Sequence, residues 1–246
     1  MTSARLLGLG YDVHVHALVF ALALLFYNRD RLADSSEPDD QLNMAERAQW
    51  VVAHRRALRL LVGAAAAASA LLLAQRPAAL APILAGLGFA LAYSARRLPG
   101  GRAPKQLPGL KTPYVAALWT LLIVGVPLAG AGRPWDRQAL LGASAIFALV
   151  AAQVTVNDIR DLEGDRLVGT RTLAVLWGER GARLAAILCA LLAAAAALAL
   201  RSRGLVLAAA YTTAYAAAYR RPADSAFRWL IEGAGIATWL TAVAAT

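Results

Sequence analysis

The chain has 246 residues, 59% of them hydrophobic, with a mean hydropathy of +0.53 and a net charge of +10. This composition excludes an ordinary soluble domain of this length and predicts a polytopic membrane protein. In that setting the positive charge reads as Lys and Arg retained on the cytoplasmic side, with no nucleic-acid partner implied.

Lipid admits only helices or closed barrels, and nothing here alternates with the two-residue period of barrel strands, so the predicted fold is all-α. Apolar runs long enough to span fall at about 8–28, 52–74, 78–96, 112–131, 137–157, 174–200, 203–220 and 226–245, which makes eight transmembrane helices in a single domain over 1–246. The first run resembles a signal peptide, with Arg5 ahead of "ALVFALALLF", but Tyr27, Asn28, Arg29 and Asp30 follow where a small-x-small cleavage site would stand, so it reads as a retained helix. His14 and His16 fall on different faces of that helix and suit the lipid–water boundary better than a metal. The lone Cys189, in an apolar helix, reads as a small buried hydrophobe.

The connections divide into two kinds. "QRP" at 75–77, "GRPWD" at 132–136 and "RSRG" at 201–204 are tight hairpin turns. The stretches 28–50, 96–111, 157–171 and 220–228 are longer or richer in charge, and with eight helices they all fall on one face. Of the 25 Lys and Arg, only Arg5, Arg76, Arg133, Arg137, Arg201 and Arg203 lie on the tight-turn face. The remaining 19 lie at the long loops, which places those loops in the cytoplasm.

Ten of the 15 acidic residues lie in two of these loops. The first group is Asp30, Asp34, Glu37, Asp39, Asp40 and Glu46, and residues 34–43, "DSSEPDDQLN", read as a solvated loop. The second is Asp158, Asp161, Glu163 and Asp165, led by Asn157. If helix continues through each group, Asp30 and Asp34 share one face. Asn157, Asp161 and Asp165 share another, with Asp158 beside them. Stacked like charges repel, and a bound cation removes that cost. Three or four oxygens per group suit Mg²⁺, which takes carboxylates, retained waters and phosphate oxygens. The neighbouring Arg31, Lys111, Arg160, Arg166 and Arg171 would hold the oxyanions of a diphosphate, whose hydrocarbon tail runs down between the helices. Tyr93 and Arg97 could line such a site, although a Tyr at a membrane boundary is also an anchor.

"NDIRDLEGDRLVGTRTLAVLWGE" resembles the second aspartate motif of the UbiA-type intramembrane prenyltransferases and the segment after it. "YNRDRLADSSEPDDQLNMAER" resembles a variant of that family's first motif: the Asp30-x-x-x-Asp34 spacing is kept, while the Asn expected four residues before Asp30 is Phe26 and Asn28 lies two before. "YSARRLPGGRAPKQLPGLKTPYVAALW", 93–119, is similar to the family's middle loop, Lys111 included. The resemblance implies a bundle of about nine helices around a central cavity, in which Asp30, Asp34, Asp158, Asp161 and Asp165 are catalytic and hold Mg²⁺. Asn28, Arg31, Tyr93, Lys111, Asn157, Arg160, Arg166 and Arg171 would then bind an isoprenyl diphosphate. An acceptor, lipophilic and usually aromatic, would capture the isoprenyl group. The family's first helix is the one missing from the eight-helix count.

Other readings of the same residues are a terpene cyclase or an enzyme with a non-aromatic acceptor on this scaffold, and a shortened, catalytically inactive member. A divalent-cation transporter would place its acids near mid-membrane on broken helices, whereas these lie at helix ends among basic residues. Neither the acceptor, the prenyl chain length nor a protein partner is readable from the residues.

The charge asymmetry makes a topological prediction. In a Cys189→Ala background, single cysteines placed at Gly100 and at Thr246 are expected to label from opposite sides of the membrane. Labelling from the same side refutes the eight-helix arrangement.

Overall fold

Polar residues at the edges of the apolar runs decide where the helices begin. The computed structural model describes residues 7, 9, 12–36, 38–94, 104 and 107–220. Helix α1, Val13–Asp34, starts at Asp12, whose Oδ1 accepts from the His14 and Val15 backbone N–H groups at 2.9 and 3.3 Å. Short helices α2, Pro38–Asn43, and α3, Ala45–Ala53, lead into α4, Arg55–Ala74. A 3₁₀ turn, Pro77–Ala79, opens α5, Leu80–Ser94. Helix α6, Lys111–Gly130, contains a π-helical stretch, Leu121–Gly125, just ahead of Pro127. Proline offers no N–H to the carbonyl one turn back, and a widened turn is a common way of absorbing that loss. Helix α7, Arg137–Arg160, is capped by Asp136 Oδ1 on the Ala139 N–H at 2.8 Å. Helices α8, Leu162–Val168, α9, Leu173–Ala199, and α10, Arg203–Ala218, complete the described chain, with Thr172 and Ser202 capping the last two.

Among the described residues there is no strand, in agreement with the all-α prediction. Among the described residues, four helices are long and apolar enough to cross a membrane: Arg55–Ala74, Lys111–Gly130, Arg137–Arg160 and Leu173–Ala199. Helix α1 is not among them, because His14 and His16 interrupt its start and Asn28, Arg29 and Asp30 its end. The expected span 226–245 lies outside the described residues, as does Arg97.

The packing is inverted relative to a protein dissolved in water. Helix α9 lies between α7 and α10 and turns Ala182, Ala186, Ala190, Ala193 and Ala197 inward, all at most 2% exposed. Its outer face carries Leu184, Leu188, Leu191, Leu192 and Leu198, each more than half exposed. Small residues inside let helix backbones approach closely, and large apolar residues outside cost nothing when lipid surrounds them. A second body packs α1 on α4, and Leu18 and Leu22 of α1 also cluster with Ala79 of the 3₁₀ turn and Val126 of α6. Its outer end is tied by Arg76, which donates from Nε and Nη2 to Asp12 Oδ2 at 3.0 and 2.6 Å.

One expectation is corrected. Residues 34–43 are not simply a solvated loop: Pro38–Asn43 forms α2 and packs on α8. Proline at the first helical position costs no hydrogen bond and already has a helical φ, which lets so short a helix start there. The last residue of α2, Asn43, reaches the second acidic segment.

Because α9 closes on its neighbours through alanine, Ala190→Leu is expected to destabilise the bundle by roughly 1–3 kcal/mol through overpacking. Leu192→Ala, on the outer face, should change the thermal midpoint in detergent little. Equal shifts for the two variants would place the interface elsewhere.

Candidate active site

The second acidic segment forms where α7 gives way to α8. Asp161 breaks the helix with φ −87° and ψ 9°. The i→i−4 bonding nevertheless carries across, Asp161 N–H to the Asn157 carbonyl and Asp165 N–H to the Asp161 carbonyl, both at 2.9 Å. The register that groups Asn157, Asp158, Asp161 and Asp165 therefore survives the break. Helix α8 ends at Gly169, whose φ of +75° is a left-handed conformation that a side chain would strain. The Thr170 N–H then bonds back to the Asp165 carbonyl at 2.8 Å.

The middle loop enters from the other side. The Gly109 N–H donates to the Arg171 carbonyl at 2.7 Å, which sets the start of α6 against the end of the acidic segment. Lys111 Nζ then lies 2.9 Å from Asp158 Oδ1 and 3.3 Å from Asp165 Oδ1. Thr112 Oγ1 donates to Asp158 Oδ2 at 3.2 Å. Asp158 and Asp165 are 1% and 4% exposed, so one ammonium serves two buried carboxylates. Asp161 has its own cation: Arg160 donates from Nε and Nη2 to its two oxygens at 2.7 and 2.8 Å.

Burial pushes the Asp165 carboxyl up; Lys111 opposes this, the Asp158 charge adds to it, and the group titrates at about 6. Burial also acts upward on Asp161, but the Arg160 guanidinium more than offsets it, with help from Lys111 and Arg47, and the group lies below the ordinary carboxylate range. Arg47, from α3, and Asn43, from α2, were not anticipated as site residues. Both lie in the first-motif stretch, four residues apart, which was the available signal.

Most of the other anticipated residues are exposed or engaged locally. Asp30 and Asp34 are exposed in the last two turns of α1. Asn28 donates to the Leu24 carbonyl at 2.8 Å, and Arg31 donates to Tyr27 Oη at 2.8 Å with its guanidinium over that ring. Arg166 and Arg171 are exposed. Tyr93 falls in the last turn of α5, and its side chain lies outside the described residues. An open cleft of about 670 Å³ lies at a kink in α9, lined by Trp177, Gly178, Glu179, Arg180 and Arg183, none of which belongs to the acidic cluster.

A family model described as the UbiA prenyltransferase family matches residues 40–230. The chain belongs to that family. The matched span contains the middle loop and the whole second acidic segment, while Asn28, Asp30, Arg31 and Asp34 precede it. No curated protein and no solved structure matches the chain. UbiA membership makes this an integral membrane protein and implies membrane prenyltransferase activity in general, with isoprenyl diphosphate and lipophilic acceptors as substrates.

UbiA prenyltransferases generally use Mg²⁺, and the donor set here suits it chemically. Asn157 Oδ1 is buried without a hydrogen-bond partner and shares the helical register of three carboxylates, all hard oxygen donors. Among the described residues no three His, Cys, Asp or Glu side chains already converge on one point, and Lys111 Nζ is the cation between Asp158 and Asp165.

The Asp165 titration fixes a pH dependence. With a folded value of about 6 against an ordinary 3.8, the folded state holds this proton more tightly than the unfolded state. Its contribution to stability is complete below about 3.8 and fades as pH rises through about 6. The thermal midpoint of the wild type, relative to Asp165→Asn, is therefore expected to fall between pH 4.5 and 7.5. A difference independent of pH would refute the shift.

Proposed function

We propose that this chain transfers an isoprenyl group from an isoprenyl diphosphate to a lipophilic, aromatic acceptor within the membrane, with the acidic segment facing the cytoplasm. The observation that carries the reading is the buried meeting of Asp158, Asp161 and Asp165 with Lys111 and Arg160 at the junction of α7 and α8. So dense a set of buried opposite charges is costly to assemble, and a site that must bind a polyanion is a reason to bear that cost.

On this reading Asn157, Asp158, Asp161 and Asp165 hold Mg²⁺, with Asp30 and Asp34 contributing from the end of α1. Bound there, Mg²⁺ would supply positive charge against the diphosphate oxygens. Lys111 and Arg160 would turn from their carboxylate partners to the same oxygens and stabilise the charge that grows on them as the allylic C–O bond breaks, its electron pair leaving with the diphosphate. Apolar helix faces below the junction keep water from the carbocation until the acceptor captures it. The position of the acids at helix ends supports this division, because the diphosphate stays near water while its tail lies among the helices.

The test is diphosphate release from a series of labelled isoprenyl diphosphates by detergent-purified protein. Asp161→Ala and Asp165→Ala are each expected to lower the rate roughly 100- to 1,000-fold, about 3–4 kcal/mol for one electrostatic stabiliser. Glu163→Ala, at an exposed position, should do much less. Equal rates for all three variants, or an active wild type indifferent to Mg²⁺, would refute the assignment.

A further inference from the structure

Helix α8 has no side-chain cap of its own. Asp161 stands at its N-cap, where an Asp carboxylate ordinarily accepts from the backbone N–H two or three residues on. Here it makes no such bond and is turned to the Arg160 guanidinium instead. The acceptor comes from a different loop. The Gly164 N–H, three residues into the turn, donates to Asn43 Oδ1 at 3.2 Å, across 121 positions of sequence. The other end of the same amide, Asn43 Nδ2, donates to the Asp161 backbone carbonyl at 3.3 Å. One side chain thus satisfies an amide of the first turn of α8 and a carbonyl at its start.

The fit is close enough to dictate Gly164. A Cβ built there would fall 2.8 Å from Asn43 Cγ and 3.0 Å from Oδ1, so any side chain displaces the amide. The φ of Gly164 is not positive, and the requirement is therefore for room alone. Asn43 is also the last residue of α2, so the bond fixes the first cytoplasmic loop, downstream of Asp30 and Asp34, to the second acidic segment.

We propose that Asn43 is a positioning residue: it caps α8 from the first loop, so that the Asp161 carboxylate is released from capping and held toward the substrate. The catalytic consequence rests on the prenyl-transfer reading above, whereas the latch itself does not. Side chains that orient a ligand without touching the reacting atoms typically matter by roughly 10- to 100-fold.

Two measurements on the full-length protein in detergent separate these points. In the first, thermal midpoints are compared for wild type, Asn43→Ala, Gly164→Ala and the double variant. Gly164→Ala is expected to be destabilising alone, by displacing the Asn43 amide from its two backbone partners, and nearly harmless once Asn43 is Ala, because the clash is with the Asn43 side chain. Additive losses, or a double variant no better than Gly164→Ala, would overturn the latch whether or not the protein turns over. In the second, release of diphosphate from farnesyl diphosphate is measured against Mg²⁺ concentration. Asn43→Ala is expected to lose roughly 10- to 100-fold in rate and to need more Mg²⁺. Asn43→Asp, which keeps the acceptor for the Gly164 N–H, should recover part of the loss. An Asn43→Ala protein with wild-type rate and wild-type Mg²⁺ requirement overturns the positioning role. A wild type that releases no diphosphate from any isoprenyl diphosphate, with a non-additive stability cycle, refutes the activity and supports the latch.

Discussion

Lys111 shared between Asp158 and Asp165 is the interaction on which the arrangement of this site depends. Its three members come from three segments: the first residue of α6, the last turn of α7 and the middle of α8. A buried carboxylate with no partner is unfavourable by several kcal/mol, and removing one partner of a buried pair typically costs about 3–5 kcal/mol. The ammonium therefore selects the one packing in which both acids are covered. Everything that places Lys111, from the Gly109–Arg171 backbone bond to the Thr112 hydroxyl on the far oxygen of Asp158, contributes to the same selection.

The membrane-facing architecture supplies the rigidity this requires. The end of α7 is held by Val156 and Ile159, which pack with Leu162, Ala174, Ala182 and Tyr215 in one apolar cluster directly beside the acids. Alanine along α9 allows α7 to approach closely, and close approach leaves little room for the acidic turn to shift. The polar site is thus the end of a tightly packed helix pair. A loop of the same composition hanging from looser helices could not keep three carboxylates and their cations in register.

Much of this was legible in the sequence, and the reason differs from part to part. Helices are set by long apolar runs and by caps such as Asp136 and Thr172, which are local and can be read directly. The grouping of Asn157, Asp158, Asp161 and Asp165 follows from helical periodicity, and the break at Asp161 does not disturb it because the backbone bonds continue through. The role of Lys111 was readable only as a cation near an anion site; that it spans two acids depends on how the middle loop folds back on Arg171. The helix at Pro38–Asn43 was missed because six residues with a single aliphatic side chain, Leu42, carry no periodicity of their own. Its stability comes from docking on α8, a contact more than 100 positions away in sequence.

The charge balance of the junction bears on how it could treat a polyanion. Asp158, Asp161 and Asp165 face Lys111, Arg160 and Arg47, so acids and bases are matched in number. Cations already committed to carboxylates have little field left for an incoming diphosphate, since each acid screens the base beside it. On the proposed reading, binding must therefore bring its own positive charge. Asn157, Asp158, Asp161 and Asp165 would hold a divalent ion that supplies this charge, and Lys111 and Arg160 would offer their donors to the phosphate oxygens. Matching at rest keeps the buried junction stable, and redistribution on binding lets the same residues serve a charge that exists only while substrate is present. The buried, unpartnered Asn157 Oδ1 fits this account as the one donor in the cluster that no base occupies beforehand.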